Sequence, residues 1–289
     1  MVDSQDAGVR DRAMEAMREY LRDSLDEVAM RKLWRAVFFA MWLSDLAPVQ
    51  QELAKRVGGL VHCFSAPEAA CRWLAAFCVT LEAEWDRLDK HRLDKYYSLA
   101  RQVVREAIAF GAWSAESLAA IARTFDSGVL RRRPNGPRLH FCDVVIDEVR
   151  AVATSTPYDD VGPVLALLEP FLALLAASDR AVFSRAVDRV VGDILKHDDL
   201  PLVADLRAAL QSRLYRVAAD PSTPDSHRAP LYAALKHLVA LTRIPLDDAP
   251  PVATLNKRRP RPFSSAASSQ TKKRKKTLVT RLRGRRSSS

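Results

Sequence analysis

Few side chains in this sequence are spaced for chemistry. Glu82, Glu84 and Asp86, and the adjacent pair Asp159 and Asp160, are the acids that could offer oxygen ligands to magnesium for phosphodiester hydrolysis. They stand among Lys and Arg on expected helix faces or loops, so solvated surface is the better reading. Of the four cysteines, Cys71 and Cys78 are seven residues apart on one expected helix with no His beside them. His62 and Cys63 share a Gly-rich turn, and His140 with Cys142 is a pair without partners. None of these spacings matches a zinc arrangement, and the cysteines read as small apolar fillers. The sequence holds no Gly-x-Ser-x-Gly elbow, phosphate-cradling Gly loop or Gly-x-Gly-x-x-Gly turn. No catalytic residue, metal or cofactor is expected, and the chain reads as a non-enzyme.

Charge is the stronger signal. Residues 257–289 carry thirteen Lys or Arg and no Asp or Glu, while the chain as a whole is +10. Residues 1–256 are therefore mildly acidic, at about −3, with 32 basic and 35 acidic side chains. The cations come in three bursts: Lys257, Arg258, Arg259 and Arg261; Lys272, Lys273, Arg274, Lys275 and Lys276; Arg281, Arg283, Arg285 and Arg286. Such a segment points to a polyanion, an import receptor, or both. Only Phe263 is aromatic among the bursts, so RNA contact there would be electrostatic and sequence-blind. With half the charges on phosphate, the log–log salt slope would be roughly −4 to −6. The Ser-rich gaps at Ser264, Ser265, Ser268, Ser269 and residues 287–289 could be phosphorylated, which would weaken that attraction.

Elsewhere the cations are scattered among acids, with one exception. Arg131, Arg132 and Arg133, followed by Pro134, Asn135, Gly136, Pro137, Arg138 and His140, form a basic loop stiffened by two prolines. Arg131, Arg132, Arg133 and Arg138 are its candidate phosphate contacts, against the reading of a solvated loop. Trp34, Trp42, Trp73, Trp85 and Trp113, with Phe38, Phe39, Tyr96 and Tyr97, could stack on bases, but at helical spacing aromatics are core.

The elements that must position these residues are helices. Residues 182–195 put Val182, Phe183, Ala186, Val187, Val190, Val191, Ile194 and Leu195 on one stripe and Arg185, Asp188, Arg189 and Asp193 on the other. Residues 91–110 and 202–217 repeat the pattern. Ser65 to Glu68 reads as a capping box, Asp199 as a helix start, and 230–243 as a final helix. Residues 149–156 are β-branched enough to leave a strand open. Two segments, 32–45 and 164–178, are apolar nearly all round and read as inner helices covered on several sides. About ten or eleven helices with short loops imply antiparallel neighbours stacked in pairs. The expected fold is all-α: an irregular, HEAT-like helical-repeat scaffold over 1–244, then a disordered, basic, Ser-rich tail over 245–289. A globular bundle is the alternative, since no fixed-period repeat is present. The start of the chain lacks the pattern of a signal peptide, the longest apolar run (161–177) is broken by Glu169 and Pro170, and the cysteine usage suits a reducing compartment.

Several strings occur in a telling order: VRDRA (9–13), KLWRAVFFAMWLSD (32–45), LAPVQQELAKR (46–56), RLDKHRLDKYYSLAR (87–101), RPNGPRLHFCDVVIDEV (133–149) and LLEPFLALLAASDRAVFSRAVDRVV (167–191). Together they resemble the eukaryotic nucleolar ribosomal RNA processing protein one family, also called the Nop fifty-two family. That family shows a KLWKGLFYCMWMSD-type second helix, a Gln-Glu-Leu-Ala helix after it and a DRLRLDKFY-type segment. Here Lys90 and His91 interrupt the third pattern. The resemblance implies a nuclear and nucleolar factor for large-subunit ribosome assembly and precursor-RNA processing. It implies a non-catalytic helical scaffold bound to precursor RNA, other assembly factors and ribosomal proteins. Within the matching blocks the polar residues Asp45, Gln51, Glu52, Asp89, Arg92, Asp94 and Lys95 are the expected protein contacts, although pairs such as Asp94 with Arg101 could equally be solvated surface. The alternative function is a nuclear protein–protein adaptor that touches no RNA and uses its basic tail for import.

Overall fold

The computed structural model describes residues 7–22, 26–112, 114–156, 158–177 and 179–245. Among the described residues the fold is all-α. Its helices are α1 (Ala7–Arg22), α2 (Glu27–Leu43), α3 (Ala47–Gly58), α4 (Pro67–Trp85), α5 (Leu93–Gly111), α6 (Ala115–Phe125), α7 (Asn135–Ala153), α8 (Val161–Ala173), α9 (Arg180–Arg185), α10 (Gly192–Lys196), α11 (Val203–Ala219) and α12 (Asp225–Thr242). A π-helical stretch, Ala186–Val191, fuses α9 and α10 into one rod, as the unbroken apolar stripe of 182–195 implies. The β-branched run after Val149 stays helical to Ala153.

The helices alternate between two layers. One is built of α2, α4, α6 and α8, the other of α3, α5, α7 and the α9–α10 rod, and α11 with α12 closes the far end. Within each layer a helix therefore packs on the next-but-one in sequence, which is the arrangement of a helical-repeat stack. The core runs between the layers. Trp34 is fully buried between Trp73 and Phe77, with ring centroids at 4.5 and 4.7 Å, and its indole N–H donates to the Trp73 carbonyl at 3.0 Å. Val164, Leu167, Leu168 and Phe171 of α8 are likewise buried, as the apolar run 164–178 predicts. No helix among the described residues is long and apolar enough to cross a membrane.

Four local expectations fail, each for a visible reason. The Ser65–Glu68 box does not form, because α4 opens at Pro67 behind Ala66 with no side-chain cap. Asp199 does not start a helix: its carboxylate is drawn to Arg150 (3.0 Å from Nε), and α11 begins later, behind Leu202 in a left-handed turn with φ 50°. The last helix starts five residues before Pro230, at Asp225, so that His227 can enter the core and stack on Phe183 at 3.7 Å. Helix α2 is not covered on all sides. Trp34, Val37, Phe38 and Met41 face inward, while Phe39 and Leu43, on the opposite face, are 61% and 59% exposed.

Candidate interaction surfaces

The open face of α2 is one side of a corner where α2, α3 and α5 meet. Outward positions of α2 follow the helical period: Val28, Lys32, Arg35 and Ala36, Phe39 and Leu43. Leu46, 54% exposed at the head of α3, continues the apolar strip. Beside it Phe38, Phe39, Trp42, Leu88 and Tyr96 line a recess of about 180 Å³. The turn before α5 is tied by Asp89, whose carboxylate accepts the backbone N–H groups of His91 (2.9 Å) and Arg92 (3.2 Å). Against the opposing effect of desolvation, those bonds and the Arg92 ion pair hold Asp89 below the usual carboxylate range. Arg92 in turn lies 4.1 Å over the Trp42 ring. Glu84, mostly buried, sits between Arg87 (3.0 Å) and Arg35 (3.9 Å), whose side chains are 70% and 61% exposed. Carboxylate beneath and guanidinium groups outside leave the rim of the recess positive.

Of the expected protein contacts, Asp45, Gln51, Glu52 and Asp94 are exposed, and Asp89 with Arg92 is half-buried in the corner. Glu52 is engaged within the fold by Arg10 (3.3 Å) and Arg56 (3.2 Å). Lys95 departs from the expectation. It is buried, and its ammonium donates to the carbonyls of Trp42 (2.8 Å) and Ser44 (2.9 Å) at the end of α2. A cation there satisfies carbonyls that the helix leaves open. Burial pulls its pKa down.

The basic loop is brought together, but much of its charge is spent internally. Arg131 is paired with Asp126 (2.6 Å), and Arg132 with Glu82 (3.3 Å) and the Ser127 carbonyl (3.0 Å). Arg133 is exposed and borders an open cleft with Glu82, Asp86 and Asn135. Arg138 is not a surface contact at all. It is buried and bonded to Asn135, whose amide donates to Asp179 at 2.8 Å, because Gly136 lets the start of α7 press against the Trp85 indole.

A third surface escaped the sequence reading. On the second layer Arg101 and Arg105 of α5 reach Glu148 of α7, which is buried, and Arg101 and Arg150 reach Asp147 at 3.5 and 3.7 Å. Asp143, one turn before Asp147, takes Arg185 (2.7 Å) and Arg189 (3.4 Å) from the α9–α10 rod. The pairs lock neighbouring helices edge to edge. The i,i+4 spacing of 101/105, 143/147 and 185/189 is visible in sequence, but which helix faces which is not.

Most aromatics that might have stacked on bases are core: Trp34, Trp73, Trp85, Phe38 and Tyr96 are buried, and Trp42 and Tyr97 half-buried. Trp113 lies outside the described residues, as do all thirteen cations of 257–289. Cys78 and Cys142 are buried, which pushes each thiol up to about 12. Among the described residues no three His, Cys, Asp or Glu side chains converge on a point that could hold a metal.

Residues 2–228 match the family model described as "Nucleolar protein, Nop52". Among similar proteins is the mouse "Ribosomal RNA processing protein 1 homolog B", 30% identical over 205 residues, or 66% of this chain and 28% of the relative. The human "Ribosomal RNA processing protein 1 homolog A" is 26% identical over 224 residues, 73% of this chain and 48% of the relative. A Dictyostelium discoideum homolog is 25% identical over 227 residues, covering 70% and 45%. The match thus spans between about a quarter and a half of these relatives' own length. With a family model covering nearly all of the helical body, the chain belongs to the Nop52 nucleolar protein family.

Proposed function

We propose that this chain is a nucleolar assembly factor for the large ribosomal subunit, a non-catalytic scaffold that holds precursor ribosomal RNA and other assembly factors while the RNA is processed. The observation that carries the reading is the family match over residues 2–228, joined by relatives named for ribosomal RNA processing. A two-layer helical stack suits the role, since it offers long rigid faces. The division of labour follows the charges. Arg133, the exposed parts of Arg131 and Arg132, and above all the cations of 257–286 make sequence-blind phosphate contacts. The same bursts address the chain to an import receptor. The α2 corner meets protein.

One observation favours the second reading, a protein adaptor without RNA. The described cations of the basic loop and of the α5–α7–α9 face are largely paired with the chain's own acids. Ultraviolet crosslinking in living cells, on the full chain and on a chain ending at Pro245, separates the two. Reads focused on one region of the large-subunit precursor in the full chain support the scaffold, and their loss on truncation assigns the contact to the basic segment. Absent or diffuse reads in both chains would overturn the RNA half of the proposal.

A further inference from the structure

The apolar strip of α2 is out of place for the outermost helix of a layer. End units of a helical stack ordinarily turn a polar face outward, because no further unit covers them. Here Phe39, Leu43 and Leu46, each more than half exposed, form that face, and no described element covers them. Resting on the scaffold reading, the geometry points to a docking site on this end of the stack for an amphipathic helix of a partner protein, its apolar stripe flanked by Asp or Glu.

The strip's spacing selects a helix. Ala36, Phe39 and Leu43 run about 10 Å along α2, two turns, and Leu46 at the head of α3 extends them. Its ridge of i, i+4 side chains offers the groove into which a second helix packs. The adjoining recess of about 180 Å³ has room for one large apolar side chain as an anchor.

The rim selects the partner's charge. Arg35 and Arg87 stand outward over the mostly buried Glu84, and Lys32 is exposed on the same face. This rim repels the chain's own basic segment, with thirteen cations and no acid. A second copy placed symmetrically would bring the same cations toward each other. RNA fits less well than protein: Leu43 and Leu46 would stay wet, and the exposed face of Trp42 is already covered by Arg92.

The test replaces Leu43 in the full-length chain with p-benzoylphenylalanine, irradiates cells and maps the crosslinked residues by mass spectrometry. The proposal expects them on one segment of an assembly protein, with apolar residues at i, i+3 or i+4 and i+7 and acids beside them. That segment, made as a synthetic peptide, binds the purified full chain. Leu43→Asp and the pair Arg35→Glu with Arg87→Glu each weaken it by about tenfold or more. Leu43→Ser serves where the Asp variant lowers the unfolding midpoint. Crosslinks to RNA, to this chain or to a second copy, no crosslink at all, or a peptide indifferent to the Arg pair would each overturn the proposal. The scaffold reading would still stand if the chain, without such a crosslink, sedimented with large-subunit precursors; if it did not, both fall.

Discussion

Lys95 separates a structural reading from an interface reading in one substitution. Replacing it with Met keeps the methylene stem and removes the ammonium that donates to the Trp42 and Ser44 carbonyls at 2.8 and 2.9 Å. Ser44 retains a bond from the Gln50 amide at 2.7 Å, so Trp42 is the carbonyl left without its partner. Hydrogen bonds from a charged donor contribute more than neutral ones, but burying the ammonium offsets part of the gain, as its lowered pKa records. The net loss for Lys95→Met is about 1–3 kcal/mol. For a body of this size that lowers the unfolding midpoint by roughly 3–9 °C, read by circular dichroism at pH 7. A midpoint within a degree of the parent would refute the cap. If association with ribosomal precursors were then lost as well, Lys95 would be the exposed contact expected from its place in the RLDKHRLDKYY string.

Three further outcomes follow from the packing. Trp34→Ala removes an indole enclosed by Trp73 and Phe77 together with its bond to a backbone carbonyl, and costs about 3–5 kcal/mol in urea unfolding. Gly136→Ala drives a Cβ into the Trp85 indole and destabilises by about 1–3 kcal/mol; an unchanged denaturation midpoint would show that α7 can shift away. Burial holds both His140 and His227 below the usual histidine pKa, with Asp143 and Arg101 also acting on the first and Arg180 on the second. The unfolded chain takes up these protons near pH 6.5 and the folded chain resists them, so stability is held above about pH 6.5 and lost as pH falls below it. Urea unfolding at pH 7.5, 6.5 and 5.5 should show that decline, and the double variant His140→Gln with His227→Gln should flatten it.

The layered helical fold was legible because buried stripes of period 3.6 survive in sequence, as at Val182 to Leu195 and Val164 to Phe171. Helix ends were less so. Ser65 and Asp199 carry the right side chains for caps, but the cap positions went to Ala66 and Leu202, since Asp199 found Arg150 across the fold. Surfaces were the hardest. A run as apolar as residues 32–45 says that burial is available, yet whether a neighbour supplies it depends on α2 standing at the edge of its layer. Lys95 and Arg138 illustrate the converse: charged residues in polar strings that the tertiary fold turns inward. The Arg ladder onto Asp143, Asp147 and Glu148 depends on which helices become neighbours, information that spacing within one helix does not carry.

A chain that works on precursors of the large ribosomal subunit must travel with them. Sedimentation of the tagged full-length protein through a sucrose gradient, with precursor RNAs followed before and after depletion, tests this. The protein should run with large-subunit precursors, and depletion should make unprocessed large-subunit RNA accumulate. A protein confined to the top of the gradient or to small-subunit particles, with the large-subunit precursors unchanged, would contradict it.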